Sequence, residues 1–243
     1  MTKELPVRTP PIDSAWTTAP LARPDRSTTL SLSAIVAKAV DILDTESTPH
    51  GLTMRRLAAE LGVTAAAMYW HVRTRDELLD HALDAVFGEV RIPDTNLPWD
   101  QAVVQLMVDW RRAMLKHPWS PPLAGRPLQG PLVTLRIEAL QAALVRGGFQ
   151  DLALAAATRL FADITVGSAL TESAARQADG ASLRRAAATM METHPELYPT
   201  LLHSGHLHQE QPDSTLLFAR IMQQLTTSIT PASSPPEMNR EPH

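Results

Sequence analysis

At 243 residues with 44% hydrophobic side chains, the chain has enough apolar surface for one sizeable core, or for a small domain joined to a larger one. Cysteine is absent, which excludes disulfides, thiolate zinc sites and cysteine nucleophiles. A formal net charge of -4 argues against indiscriminate coating of nucleic acid, where phosphate neutralisation by Lys and Arg supplies most of the affinity, yet leaves room for a local basic face.

Residues 1–29 are rich in Pro, Thr and Ser and poor in large apolar groups, so a flexible arm is expected there. Arg8, Arg23 and Arg26 could carry such an arm to a minor groove or to phosphates. From Leu32 to Asp44 the apolar positions Leu32, Ile35, Val36, Ala39, Ile42 and Leu43 recur at helical spacing. Thr45 to Gly51, with Pro49, reads as a loop, and Thr53 can cap the next helix.

The stretch Leu52 to Val72, LTMRRLAAELGVTAAAMYWHV, reads as two short helices meeting at a tight turn. Leu57, Ala58 and Leu61 share one face of the first, and Gly62 ends it where a left-handed backbone is easiest. Thr64 can cap the second helix, whose inward stripe is Met68 and Val72 and whose outward face carries Thr64, Ala65, Ala67, Tyr69 and His71. An ordinary helical hairpin is the alternative. Small and hydroxyl side chains on the outward face favour a helix-turn-helix, in which the second helix enters the major groove.

Thr74-Arg75-Asp76-Glu77 forms a capping box that opens a fourth helix to about Val90, with Leu78, Leu79, Ala82, Leu83 and Val86 as its buried stripe. Ile92 to Pro98 is a linker, which divides the chain into a DNA-binding domain (30–91) and a helical second domain (92–230), with a disordered tail at 231–243. Helices are expected over Trp99–Lys116, Leu132–Arg146, Asp151–Glu172, Ala181–Glu192 and Ser214–Thr230. His117–Pro131 is broken by prolines, and Leu197–Pro212 reads as a loop. Leu216, Leu217, Phe218, Ile221, Met222 and Leu225 nearly surround part of the last helix, which suggests burial between two surfaces and pairing with a second copy of the chain. The fold class is all-α. No charged-then-apolar leader and no unbroken apolar run of about 18 residues is present, so a cytoplasmic protein is expected.

The run from Leu32 to Val90, with GLTMRRLAAELGV followed by MYWHVRTRDELLD, resembles the DNA-binding domain of the TetR family of repressors. Trp99 to Thr171 is similar to the sensor domain of that family's tetracycline-repressor branch, through PWDQAVVQLMVDWRRAML and LAGRP. The resemblance implies a homodimer on a palindromic operator, built through the long antepenultimate and the final helix, and a ligand cavity in the second domain. One departure is plain. That branch supplies His to a metal–drug chelate around the GRP stretch and near the end of the fourth helix, whereas Trp119–Gly130 and the Val90-Arg91 region contain none. No magnesium–tetracycline chelate, and no cofactor, is therefore expected.

Carried residue by residue, the resemblance assigns the double-stranded DNA surface to Thr53, Arg55, Thr64, Ala65, Ala66, Ala67, Tyr69, Trp70, His71 and Arg75. Arg55 would meet bases or phosphates, and Tyr69, Trp70, His71 and Arg75 phosphates. Tyr69 and Trp70 could equally be packing residues. Three alanines can touch thymine methyls but cannot hydrogen-bond, so readout should lean on Arg55, methyl contacts and DNA shape. For a small-molecule effector, Met107, Trp110, Met114, Trp119, Phe161 and Ile164 offer apolar surface, and Arg111, His117, Arg136, Thr165 and Ser168 polar contacts. Core packing could explain any one of them.

An enzyme is not expected: the chain has no nucleophile elbow and no Gly-rich phosphate loop. A metal site built from His194, His203, His206 and His208 is the alternative to a regulator, with solvated loop histidines as the simpler account. A regulator without a small-molecule ligand is a third reading.

Overall fold

A computed structural model describes residues 30–126, 130–178, 180–204, 213–229 and 231. The arginines of the N-terminal arm, His206, His208 and residues 232–243 of the C-terminal tail lie outside them. Helices α1 (Leu32–Glu46), α2 (Met54–Leu61), α3 (Ala65–Tyr69) and α4 (Arg75–Gly88) form the first unit. The second contains α5 (Trp99–Lys116), α6 (Pro131–Arg146), α7 (Asp151–Gln177), α8 (Gly180–Thr193), α9 (Pro199–Ser204) and α10 (Ser214–Ser228). No strand occurs among the described residues.

Hydroxyl caps set the starts of all four helices of the first unit. Ser31, Thr53, Thr64 and Thr74 accept from the backbone N–H three residues on, at 3.2, 3.2, 3.2 and 3.0 Å. Each cap contributes about 1 kcal/mol by satisfying a donor that has no partner within the helix. The Glu77 carboxylate reaches back and accepts from the backbone N–H of Arg73 at 2.8 Å, one residue before the cap. Gly62 ends α2 at φ +67°, so the chain can turn between α2 and α3 without strain on a side chain. Ile35, Leu43, Leu52, Leu57, Met68, Val72, Leu78 and Leu83 are fully buried and close the small core under that turn.

In the second unit α5 is central, packed against α6, α7 and α10. Helix α4 belongs to both units, since it packs on α1 and also on α5 and α6. The expected Leu197–Pro212 loop is corrected in part: Pro199 presets the backbone for a first helical turn, and Pro199–Ser204 is a short helix. The final helix is also not surrounded by its own chain. Phe218, Met222 and Thr226 are buried, while Leu216, Leu217 and Ile221 are exposed, so only one side meets the bundle. Helix α7 extends beyond Glu172 and is long and apolar enough to cross a membrane by length and composition. Alanines supply much of that apolarity, which a search for an unbroken apolar run overlooks. Phe161, Thr165, Ala169 and Ser173 turn one side of it into the bundle.

Candidate nucleic-acid interface and sensor core

The second helix of the turn presents the surface its spacing implies. Met68 and Val72 are fully buried, while Thr64, Ala65, Ala66, Tyr69, Trp70 and His71 are exposed and Ala67 is half-buried. Trp70 is 89% exposed, which removes its reading as a packing residue. Arg55 and Thr53 are exposed at the start of α2. The neighbouring Arg56 is turned inward instead, bonding Glu46 at 2.7 Å and the Gly51 carbonyl at 3.3 Å.

Arg75 departs from the expectation of a phosphate contact. Its Nε donates to the Leu52 carbonyl at 2.8 Å and its Nη2 to the Pro49 carbonyl, so the guanidinium ties the start of α4 to the loop before α2. Arg75→Ala should therefore lower stability by about 1–2 kcal/mol, since it orphans the Leu52 carbonyl and leaves the Pro49 carbonyl with only the Leu52 N–H. A melting temperature unchanged from wild type, with DNA affinity reduced evenly, would restore the phosphate role.

The junction between reader and second domain is built from residues that sequence reasoning either missed or misassigned. Asp84, buried within α4, accepts from the backbone N–H groups of Leu132 at 3.2 Å and Val133 at 2.8 Å, and so holds the N-terminus of α6. A side chain at Gly130 would put its Cβ 2.1 Å from the Asp84 carboxyl, so glycine is required for this approach. Burial pushes the Asp84 carboxyl above its usual range, against those two N–H bonds and the nearby His81 and Arg136. Its signal in the sequence was weak, since Glu77, Asp80 and His81 precede it at helical spacing and make it look like part of a solvated face.

Arg136, expected in the effector site, instead donates from α6 to the Gly88 carbonyl at 2.7 Å and to the Val90 carbonyl at 2.9 and 3.1 Å. It caps the C-terminus of α4, where the last carbonyls have no helical partner. His117 and Trp119 are likewise corrected. The His117 ring, nearly fully buried, places Nδ1 2.7 Å from Asp44 of α1 and Nε2 3.2 Å from Glu89 at the end of α4. Trp119 Nε1 donates to the same Asp44 oxygen at 2.6 Å, and Lys116 bonds Glu89 at 2.8 Å. Burial alone would raise the Glu89 carboxyl, but the bonds and charges of Lys116 and His117 together outweigh it and hold it below its usual value. Arg126 of the GRP stretch adds ion pairs to Asp80 at 3.2 Å and Asp76 at 3.5 Å.

Of the other expected effector residues, Met107, Met114 and Phe161 are fully buried and pack in the core, and Ile164 is half-buried beside it. Thr165 bonds the Phe161 carbonyl at 2.7 Å. Trp110 stacks edge-on against Phe87 of α4, with centroids 5.2 Å apart, and its buried Nε1 has no hydrogen-bond partner. Arg111 donates to Ser168 at 2.9 Å and lines a cavity of about 230 Å³ bordered by α5, α7 and α10. A shallower cavity of about 470 Å³ lies between α5 and α10. His194 pairs with Glu196 at 3.7 Å, and no group of three metal-ligating side chains gathers among the described residues.

An outward-facing short helix behind a glycine turn, carried by a helix gripped from a second helical domain, defines a helix-turn-helix DNA-binding protein. The chain matches the family model "Bacterial regulatory proteins, tetR family" over residues 46–82 and "Tetracyclin repressor-like, C-terminal domain" over residues 92–220. An HTH-type transcriptional regulator of Saccharopolyspora erythraea is 38% identical over 202 residues, which cover 82% of this chain and 84% of that protein. Among solved structures, Streptomyces coelicolor ActR in complex with actinorhodin aligns with a TM-score of 0.74 at 28% identity, covering 83% of this chain and 95% of ActR. BioQ with its double-stranded DNA operator aligns with a TM-score of 0.54 at 31% identity, covering 61% of this chain and 89% of BioQ. The chain belongs to the TetR family and is a DNA-binding transcriptional regulator.

Proposed function

We propose that this regulator is a repressor that binds a two-fold symmetric operator as a homodimer and is released by a small effector. The observation that carries this reading is the position of α4. One end follows the reading helix and packs on α1, and the other is gripped by Arg136 and by the α6 N-terminus that Asp84 holds. A shift of α6 on effector binding would move α4 and with it the reading head. The effector does so only if it binds the DNA-free state more tightly, by about 1.4 kcal/mol for each tenfold loss of operator affinity.

Three further features support parts of the reading. ActR is solved with a small molecule and BioQ with an operator. The unpartnered Trp110 Nε1, buried beside Phe87, is a donor that an effector's oxygen could satisfy. Leu216, Leu217 and Ile221 of α10, with Leu160 and Leu170 of α7, form exposed apolar surface suited to a second copy of the chain.

Readout would rest on Arg55, on the methyl groups of Ala65, Ala66 and Ala67, and on phosphate contacts from Thr53, Thr64, Tyr69, Trp70 and His71. Arg55→Ala should lose about 1–3 kcal/mol of discrimination between operator and random DNA. The operator is first mapped by protection of genomic fragments, and both affinities are then measured at one fixed salt concentration. Equal losses on the two DNAs would remove Arg55 from base recognition, and failure to protect any two-fold symmetric fragment would defeat the operator reading.

A further inference from the structure

The cavity bordered by α5, α7 and α10 is lined by four cationic side chains, Arg111, Arg112, Lys116 and Arg176, together with the apolar Leu115 and Phe218. None of the carboxylates that pair with these cations, Asp109, Glu89 and Glu172, lines it. Arg111 is the deepest of the four, with its side chain 4% exposed. Its Nε is held by Ser168 at 2.9 Å, and Glu172 forms a long ion pair with Nη2 at 3.8 Å without a hydrogen bond. The guanidinium carbon lies 5.2 Å from the centroid of the Phe218 ring. A buried guanidinium fixed through Nε and stacked on an aromatic face leaves its Nη edge as a planar two-donor fork, the geometry that matches a carboxylate. Arg176 adds positive charge beside Arg111 while pairing with Glu172 at 2.9 Å, and the charges of Glu172 and Asp213 act on Arg111 from outside the cavity lining.

We infer that this cavity binds a compact organic acid, with its carboxylate on the Arg111 fork and its apolar body against Phe218 and Leu115. At about 230 Å³ the space is smaller than the roughly 300–1,000 Å³ of drug-sized sites, so it suits the carboxylate and one or two rings of its occupant. Binding itself does not depend on the repressor reading. Only the consequence for DNA does, and the two are measured separately.

The test is calorimetric titration of the full chain with 1-naphthoate and with neutral 1-naphthamide, which share a ring system and differ in charge. The acid should bind at least about tenfold more tightly than the amide, as expected for a charge-assisted bidentate pair. Arg111→Gln should erase that preference, and Arg159→Gln, an exposed α7 change outside the cavity, should leave it intact. Should Arg111→Gln fail to fold, Arg176→Gln replaces it, since Arg176 is 57% exposed at the cavity rim and should reduce the preference severalfold. Absence of acid binding, equal affinity for acid and amide, or a preference that survives both cavity variants overturns the proposal. Operator affinity measured with and without 1-naphthoate then separates the readings. Binding that leaves DNA affinity unchanged keeps the anion site and rejects it as the effector site.

Discussion

Arg136→Met should lower the stability of the folded chain by about 2–4 kcal/mol, because it orphans the Gly88 and Val90 carbonyls in a buried place while keeping most of the side-chain volume. Burial pushes the guanidinium itself downward in pKa, but an arginine keeps its charge, so the loss is independent of pH through the neutral range. The comparison is Arg91→Met, an exposed change that should stay within about 0.5 kcal/mol of wild type. Chemical denaturation at a single pH reads both. A midpoint for Arg136→Met equal to that of Arg91→Met would mean that α4 does not depend on its C-terminal clamp. With the clamp gone, amides of the last turn of α4 should also exchange faster than those of α1.

His117→Ala should cost about 2–3 kcal/mol and loosen the reading head from the second domain, since one buried ring bridges α1 and α4. The variant should also change the acid limb of stability. Glu89 sits below its usual value in the folded chain, so its contribution is complete above the unfolded carboxylate value of about 4.5 and is lost as pH falls through the lower folded value. Its side chain is 40% exposed, and solvent screening keeps that contribution small. Removing His117 takes away one of the two cationic bonds that lower Glu89, so stability should fall less steeply with acid across that window. An unchanged acid limb would show that Lys116 alone sets Glu89.

Much of the reader was legible before any coordinates. Gly62, the threonine caps and the Met68/Val72 stripe act within a few residues of one another, and their spacing located α2, α3 and α4 to within a turn. The family followed from the same motif. The polar residues of the second domain were another matter. Arg111, His117, Arg136 and Ser168 look alike on paper as candidate ligand contacts, yet His117 and Arg136 are structural bridges, and Arg111 and Ser168 bond to each other beside a cavity. The structural bonds of Arg75 were hidden for a related reason, because its partners are backbone carbonyls of a loop that precedes it by more than twenty residues.

What the sequence by itself determined is therefore the helical class, the helices α2, α3 and α4 of the reading head and the outward face of α3. These rest on capping, glycine conformation and helical period, all of which are local. Which polar side chains connect the two domains and which face a cavity was decided only by tertiary packing. The deciding pairs are far apart in the chain, His117 and Asp44 by 73 residues, Trp119 and Asp44 by 75, and Arg136 and Val90 by 46. Leaving a buried donor or acceptor without a partner is costly, and which partner it finds depends on how α1, α4 and α6 come together in space.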